Sequence, residues 1–224
     1  MPRVLLFDID GTLLLSGGAG SGAMKLAFRE LFGSDEGFSQ ISFSGRTDTA
    51  IFRDALRLHH LQGDPEELID RLKRHYLELL PTTLMEYQGE LMPGIQDLLP
   101  ALQQRSDVVL GLATGNFRDG ARLKLRHYGI DEYFVDGGFG DNVDDRASLV
   151  DEALRRVANG AAREDVLVIG DTPLDVAGAL ANGVVPVGVA TGLYSEDDLR
   201  EAGARLVLPS FAEWQSGLEQ LLSL

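Results

Sequence analysis

The sequence contains no cysteine among its 224 residues. Disulfide bonds, thiol catalysis and thiolate metal sites are therefore excluded. No apolar run approaches the roughly 20 residues that a helix needs to cross a bilayer. The opening stretch, MPRVLLFDID, lacks the small-residue cleavage site of a signal peptide and turns acidic at once. We therefore expect a cytoplasmic protein with no membrane partner.

Basic residues are also scarce. The chain has 20 lysines and arginines against 35 aspartates and glutamates, so its formal net charge at pH 7 is −15. Such a surface repels nucleic acid unless a local basic patch reverses the field, and no run of Lys and Arg provides one. We expect no nucleic-acid partner. The remaining composition, 44% hydrophobic and 25% charged, is typical of a globular protein rather than a disordered one.

Short apolar runs alternate with helical patterns along most of the chain. The apolar runs lie at 4–7, 108–113, 166–169, 184–189 and 205–208, and the helical patterns at 118–128, 146–158, 173–182 and 210–222. Continuous apolar runs of this length are typical of strands that are buried on both faces of a parallel sheet. The alternation predicts an α/β fold whose core is a Rossmann-like, doubly wound parallel sheet.

Residues 16–88 break this alternation. They contain no convincing strand and instead predict three helices, at 21–32, at 48–60 and from 64 or 65 to about 80. An insert after the first strand lies beside the carboxyl ends of the strands, where open α/β sheets bind ligands. We therefore predict a core domain of residues 1–15 and 89–224 and a helical cap domain of residues 16–88. The glycine-rich run at 17–22 is expected to be a flexible hinge.

Two carboxylates follow the first predicted strand, in the sequence FDIDGT at 7–12. Asp8 and Asp10 would repel each other on a plain surface. A divalent cation removes this repulsion and binds hard oxygen ligands readily. Taken alone, the pair is explained equally well as an ordinary acidic turn.

Two further motifs follow other predicted strands. The sequence ATGN at 113–116 offers the hydroxyl of Thr114, the backbone of Gly115 and the amide of Asn116 in front of a helix, where anions bind. The sequence GDTPLD at 170–175 adds Asp171 and Asp175. Each motif alone could simply cap a helix. Because parallel strands end at one edge of the sheet, the motifs together predict a site that can bind a metal ion and a phosphate group.

The sequences FDIDGT, ATGN and GDTPLD resemble the first, second and fourth motifs of the haloacid dehalogenase superfamily, in the phosphoglycolate phosphatase-like subgroup. The resemblance implies a phosphoric monoester hydrolase that uses Mg²⁺ to hydrolyse a small phosphorylated metabolite. Asp8 would attack phosphorus and become an aspartyl phosphate. Asp10 would protonate the leaving alcohol and then activate water. Asp8, the backbone carbonyl of Asp10 and Asp171 would hold the metal, and Asp175 would support it or orient a nearby cation.

The resemblance also implies that Thr114, Gly115 and Asn116 bind the phosphoryl oxygens. The family's third motif usually supplies a lysine, and here the sequence DDRAS at 144–148 offers Arg146 as the candidate cation. The alternative is a solvated surface charge. Arg46, at the start of a cap helix, is a candidate for binding an anionic end of the substrate, although it could equally belong to a capping loop.

Two other functions compete with a phosphatase. A phosphosugar mutase of the same fold uses the same two aspartates. A non-catalytic protein that binds phosphorylated metabolites would be expected to have lost Asp8 or Asp171, and both are present. The sequence leaves the physiological substrate open, as well as the choice between a monomer and a homodimer.

Overall fold

The computed structural model describes residues 2–158 and 160–224. The strands in this part of the chain are β1 (Arg3–Phe7), β2 (Leu14–Leu15), β3 (Glu90–Leu91), β4 (Val108–Ala113), β5 (Gly137–Gly138), β6 (Val166–Gly170), β7 (Val185–Val189) and β8 (Leu206–Leu208). Six of them form one sheet in the order β5-β4-β1-β6-β7-β8, and each neighbouring pair is parallel. The predicted parallel sheet is confirmed. Strand β5 escaped prediction because its two glycines carry no apolar pattern.

Helices cover both faces of the sheet. They are α1 (Ala19–Phe32), α2 (Asp48–Leu58), α3 (Pro65–Glu86), α4 (Ile95–Gln103), α5 (Arg118–His127), α6 (Arg146–Val157), α7 (Pro173–Ala181), α8 (Glu196–Glu201) and α9 (Trp214–Ser223). In β1, Leu5 and Phe7 pack in the cluster that includes residues of α4, α5 and α9, whereas Val4 and Leu6 pack in the cluster with α6 and α7. This alternation gives the doubly wound arrangement. None of the helices in the described residues combines the length and apolar character needed to cross a membrane.

Helix α4 was absent from the prediction. Its interior contains Pro100, a residue that usually interrupts helices because it lacks a backbone N–H and clashes with the preceding turn. Ile95, Leu98 and Leu102 lie on one face of the helix and are completely buried in the core. Burial of this face outweighs the local cost of the proline.

Helices α1, α2 and α3 form the helical insert and share a hydrophobic cluster of their own, which includes Phe28, Phe52 and Tyr76. The two connections between the insert and the core lie side by side, because β2 and β3 pair antiparallel through Leu14 and Leu91. This ribbon was not predicted. Helix α3 continues past its predicted end through Pro81. The domain limits at residues 15 and 89 stay a prediction.

The expected hinge at 17–22 is wrong in part. Only Gly17 and Gly18 form a turn with positive φ, and α1 already begins at Ala19. The glycines inside the helix allow close approach instead of bending. A Cβ on Gly22 would lie 2.7 Å from the hydroxyl oxygen of Tyr87, and one on Gly20 would lie 3.2 Å from Nζ of Lys124.

The first turn of α2 fastens the insert to two core loops. The hydroxyl of Thr47 donates to the carbonyl of Val143 at 2.7 Å, and that of Thr49 donates to the carbonyl of Gly140 at 2.6 Å. The backbone N–H of Asp48 donates to the carbonyl of Gly115 at 2.7 Å. These bonds hold the cap over the carboxyl ends of the strands.

Candidate active site

Three buried carboxylates meet at the carboxyl ends of β1 and β6. Asp8 directly follows β1, and Asp171 and Asp175 follow β6 on the loop and the first turn of α7. An oxygen of each lies within 4.8 Å of an oxygen of the others. Burial and the nearby acidic groups raise the pKa of Asp8 to about 6 and that of Asp171 to about 8, although Arg146 acts in the opposite direction. The cluster is therefore short of positive charge.

The surroundings of Asp171 fit a hard divalent cation. A Cβ on Gly11 or on Gly192 would overlap with the Asp171 carboxylate, so these glycines leave the space that the carboxylate fills. The hydroxyl of Thr12 approaches its other oxygen at 3.4 Å. Buried carboxylate oxygens without a full set of donors are the ligands that Mg²⁺ takes from proteins.

Asp175 differs from the other two because donors already occupy its oxygens. One oxygen accepts from the backbone N–H and the hydroxyl of Thr172, in a capping box at the start of α7. The other accepts from Nε of Arg146 at 2.7 Å and from a terminal nitrogen of the same guanidinium. The geometry therefore suits Asp175 to orienting Arg146 more than to binding a metal directly.

Arg146 lies beside the candidate nucleophile. The residue is only 6% exposed, and a terminal nitrogen of its guanidinium lies 3.0 Å from Oδ2 of Asp8. It begins α6 after the cap residue Asp145. A solvated surface charge, the alternative considered from the sequence, does not describe a side chain that is buried between two carboxylates.

Asp10 points away from the carboxylate cluster, toward a lysine that sequence analysis did not single out. Nζ of Lys124 lies 2.8 and 2.6 Å from the two Asp10 oxygens and 2.7 Å from Oδ1 of Asn116. The Asn116 amide nitrogen donates to Asp10 at 2.8 Å and to the Thr114 hydroxyl at 2.9 Å. Predicted site residues from two motifs are thus joined in one network. The backbone carbonyl of Asp10 as a metal ligand stays a prediction.

Gly115 and Arg46 meet where the cap touches the core. The carbonyl of Arg46 packs so closely on Gly115 that any side chain at position 115 would overlap with it. The side chain of Arg46 lies 2.7 Å from a carboxylate oxygen of Asp54, which belongs to α2. Binding of an anionic substrate group by Arg46 stays a prediction, but this ion pair already uses its charge.

A cavity of about 580 Å³ lies between the cap and the core, and all the predicted site residues except Asp175 and Thr114 line it. Asp48, Met24, Phe43 and Tyr76 of the cap form part of its wall. A second cavity, of about 390 Å³, lies between α2 and α3 and is lined by none of the predicted site residues. The first cavity is therefore the candidate substrate site.

Three residues that line this cavity were not predicted as site residues from the sequence, each for a physical reason. Lys124 is 4% exposed and lies among buried residues of α5, on the face that carries Ala121 and Leu125. A lysine at an apolar helix position was the available signal. Asp48 begins one predicted helix, where an acidic residue is common, and Tyr76 recurs with leucines at helical spacing in another. Only the fold shows that both reach the cavity.

Comparison with known proteins identifies the class of this site. Residues 2–183 match the family model described as haloacid dehalogenase-like hydrolase, and the chain belongs to this family. It is 31% identical over 210 residues to a 5'-nucleotidase from Pseudomonas aeruginosa, covering 88% of this chain and 86% of the relative. It is also 31% identical over 221 residues to a phosphoglycolate phosphatase from Rhodospirillum rubrum, covering 95% and 89%.

A solved structure, CbbY from Rhodobacter sphaeroides in complex with phosphate, has a TM-score of 0.73 and 25% identity, covering 98% of this chain and 100% of that one. The fold and the phosphatase relatives together define the protein as a phosphatase of the haloacid dehalogenase-like hydrolases, in the phosphoglycolate phosphatase-like subgroup.

The burial of Asp48 gives a prediction about stability and pH. Burial raises the pKa of its carboxyl to about 7 from 3.8, against the opposing effects of Lys124 and of the Phe117 N–H, which donates to it at 2.8 Å. Between these values the folded state keeps a proton that the unfolded state has lost, so the free energy of unfolding falls as pH rises. In Asp48→Asn, the amide oxygen can still accept from the N–H of Phe117, but the side chain no longer takes up or loses a proton.

We therefore expect the wild type to lose stability relative to Asp48→Asn between about pH 4 and about pH 7. Denaturant titrations at intervals across this range, without divalent cations, measure the difference. Asp70→Asn, on the exposed face of α3, controls for the loss of one cap carboxylate. A difference between wild type and Asp48→Asn that stays constant with pH would contradict the assignment.

Proposed function

We propose that this protein is a Mg²⁺-dependent phosphatase that hydrolyses a small phosphorylated metabolite through an aspartyl phosphate on Asp8. The observation that carries the proposal is the position of Asp8. Its carboxylate is buried at the end of the central strand, faces the cavity, and lies between the guanidinium of Arg146 and the carboxylate of Asp171.

The metal proposal rests on the donor set. Asp8 and Asp171 would hold the ion with their carboxylates and Asp10 with its backbone carbonyl. When bound, Mg²⁺ would supply positive charge to the transferring phosphoryl group and to the buried carboxylates. This charge would lower the raised pKa values of Asp8 and Asp171, so that the nucleophile is ionised at neutral pH.

Asp8 and Asp10 would divide the chemistry. The Asp8 carboxylate attacks phosphorus, the bond from phosphorus to the leaving oxygen breaks, and a proton moves from Asp10 to that oxygen. Asp10 then takes a proton from water as the water attacks the aspartyl phosphate, and inorganic phosphate leaves. Lys124 and Asn116 bind both Asp10 oxygens and thereby fix the orientation of its carboxyl group.

The ATGN loop would bind the phosphoryl oxygens. The hydroxyl oxygen of Thr114 accepts from Asn116, which leaves the hydroxyl hydrogen available to donate. The N–H of Gly115 and the amide of Asn116 would add donors at the same side. Arg146 would stabilise negative charge on Asp8 and on the transferring group, because Asp175 holds its guanidinium in place.

Other features remain proposals from the sequence. We propose a cytoplasmic location, a monomer or homodimer, and no nucleic-acid or membrane partner. A phosphosugar mutase would use the same two aspartates, but it would return the phosphoryl group to a sugar. Release of inorganic phosphate therefore distinguishes the two functions.

Removal of divalent cations should abolish turnover. Excess EDTA should reduce phosphate release from p-nitrophenyl phosphate to background, and Mg²⁺ should restore it, because the buried carboxylates need a hard cation to bind a phosphate dianion. Ca²⁺ should not replace Mg²⁺, since its larger and more variable coordination shell misplaces the nucleophile. Full activity in EDTA would refute the proposed metal requirement.

Asp8→Asn should abolish turnover and leave the fold intact, because an amide cannot attack phosphorus as an oxyanion. Steady-state rates with p-nitrophenyl phosphate and Mg²⁺, together with circular dichroism, measure both effects. Asp197→Asn, a substitution at an exposed position of α8, is the matched control. A rate above about a tenth of wild type would rule out the covalent mechanism, since loss of a nucleophile costs far more than tenfold.

Arg146→Ala should reduce kcat by about 10²–10³-fold, the usual cost of losing one preorganised electrostatic contact. It should also lower the free energy of unfolding in the absence of divalent cations, because Asp8 and Asp175 would stay buried without the guanidinium that pairs with them. Arg146→Lys should recover part of kcat, since it restores the charge without the second arm of the guanidinium.

Arg122→Ala and Arg126→Ala serve as controls for Arg146. Both arginines belong to α5 and pair with Asp131 at 2.8 Å, outside the cavity. Their loss should change kcat little. If Arg146→Ala behaves as these controls do, Arg146 is not the cation that serves Asp8.

A further inference from the structure

The charges that line the cavity leave no cation free for a second anionic group. Among the described residues of its wall, the carboxylates are Asp8, Asp10, Asp48 and Asp171, and the cations are Arg46, Lys124 and Arg146. Each of these cations has a carboxylate partner: Lys124 has Asp10 at 2.6 Å, Arg146 has Asp8 at 3.0 Å, and Arg46 has Asp54 at 2.7 Å.

The bound phosphate does not change this balance. A divalent cation and a phosphate dianion cancel each other, so the wall gains no net positive charge when both have bound, and its cations stay paired. A carboxylate on the leaving group would find no free cation in this cavity. Burying a charge without a partner is energetically unfavourable. A neutral leaving group avoids this cost.

The cap supplies polar groups that suit a hydroxyl instead. Tyr76 is completely buried, and its hydroxyl has no hydrogen-bond partner although the residue lines the cavity. Leaving such a group unpaired costs about 1–3 kcal/mol. The hydroxyl lies near the start of α1, since a Cβ built on Gly20 would be 4.0 Å from it and 3.2 Å from Nζ of Lys124.

Asp48 adds an acceptor on the same side. One of its oxygens accepts from the N–H of Phe117, and the residue also lines the cavity. A substrate hydroxyl can donate to a carboxylate and accept from a tyrosine, whereas a carboxylate can only accept. Met24, Phe43 and Ile51 of the cap also line the cavity and offer apolar contact. A cavity of about 580 Å³ has room for a leaving group of the size of a sugar or nucleoside.

We propose that the leaving group of the substrate is a neutral, polyhydroxylated alcohol, bound by the Tyr76 hydroxyl and Asp48, and that phosphate esters of hydroxy acids are poor substrates. This inference rests on the proposed phosphatase function. It assigns Tyr76 and Asp48 to substrate selection rather than to the chemistry on phosphorus.

The first test compares two phosphates of the same skeleton. In 2-phosphoglycolate a carboxylate stands where 2-hydroxyethyl phosphate has a hydroxymethyl group. We expect kcat/KM of the wild type with Mg²⁺ to be at least about tenfold higher for 2-hydroxyethyl phosphate, because an uncompensated charge costs more than 1.4 kcal/mol, which is a factor of ten. Equal values, or a preference for 2-phosphoglycolate, would overturn the proposal. Ribose 5-phosphate and adenosine 5'-monophosphate then distinguish a sugar from a nucleoside.

The second test removes the selecting groups. Tyr76→Phe should raise KM for ribose 5-phosphate about threefold to tenfold, the worth of one hydrogen bond, and should raise it less for p-nitrophenyl phosphate. Tyr133→Phe is the matched control, since Tyr133 packs against the core cluster and does not line the cavity. Asp48→Asn should reduce the ratio of kcat/KM for 2-hydroxyethyl phosphate to kcat/KM for 2-phosphoglycolate. If the ratios of kinetic constants between these substrates are the same in both variants as in the wild type, Tyr76 and Asp48 do not select the substrate.

The two proposals fail in different ways. If p-nitrophenyl phosphate is hydrolysed but 2-phosphoglycolate is the better of the matched pair, only the leaving-group proposal is wrong. If no phosphate ester is hydrolysed with Mg²⁺, the phosphatase proposal is wrong. Calorimetric binding of the matched pair to Asp8→Asn with Mg²⁺ still tests the cavity, and tighter binding of 2-phosphoglycolate would again overturn the preference.

Discussion

The buried ion pairs of Arg146 are the interaction on which this site depends. Asp8 and Asp175 come from different strand ends, and the guanidinium between them makes it possible for both to be buried so close together. Two carboxylates without this cation would take up protons or move apart. Arg146 itself needs the start of α6 to lie against α7, where Gly178 leaves room for its side chain. The packing of α6 against α7 therefore places this cation beside the candidate nucleophile.

A second network of hydrogen bonds surrounds Asp10. Lys124 on α5 joins Asp10 from the first motif to Asn116 from the second. The site thus contains two buried cations with different partners: Arg146 pairs with Asp8 and Asp175, whereas Lys124 pairs with Asp10. Asp8 lies beside the carboxylates of Asp171 and Asp175, whereas the carboxylate of Asp10 contacts Lys124 and Asn116.

Sequence patterns predicted the sheet because strands buried on both faces produce continuous apolar runs, as in β1 and β6. They also predicted that Asp8 and Asp171 lie near each other, since residues after parallel strands converge, whereas Arg146 was expected there only from the family resemblance. They could not predict β5, whose glycines have no pattern, or α4, where tertiary burial outweighs Pro100. Lys124 was missed because its role depends on which residues face it across the fold, and one sequence does not show this.

The backbone contact between the cap and the ATGN loop has a mechanical consequence. The N–H of Asp48 binds the carbonyl of Gly115, and the Arg46 carbonyl presses on the same glycine. The loop that would bind the phosphate therefore also contacts the cap. Movement of α2 away from the core would break this contact and remove support from the phosphate loop at the same time. Opening of the cap and release of the product would then be coupled.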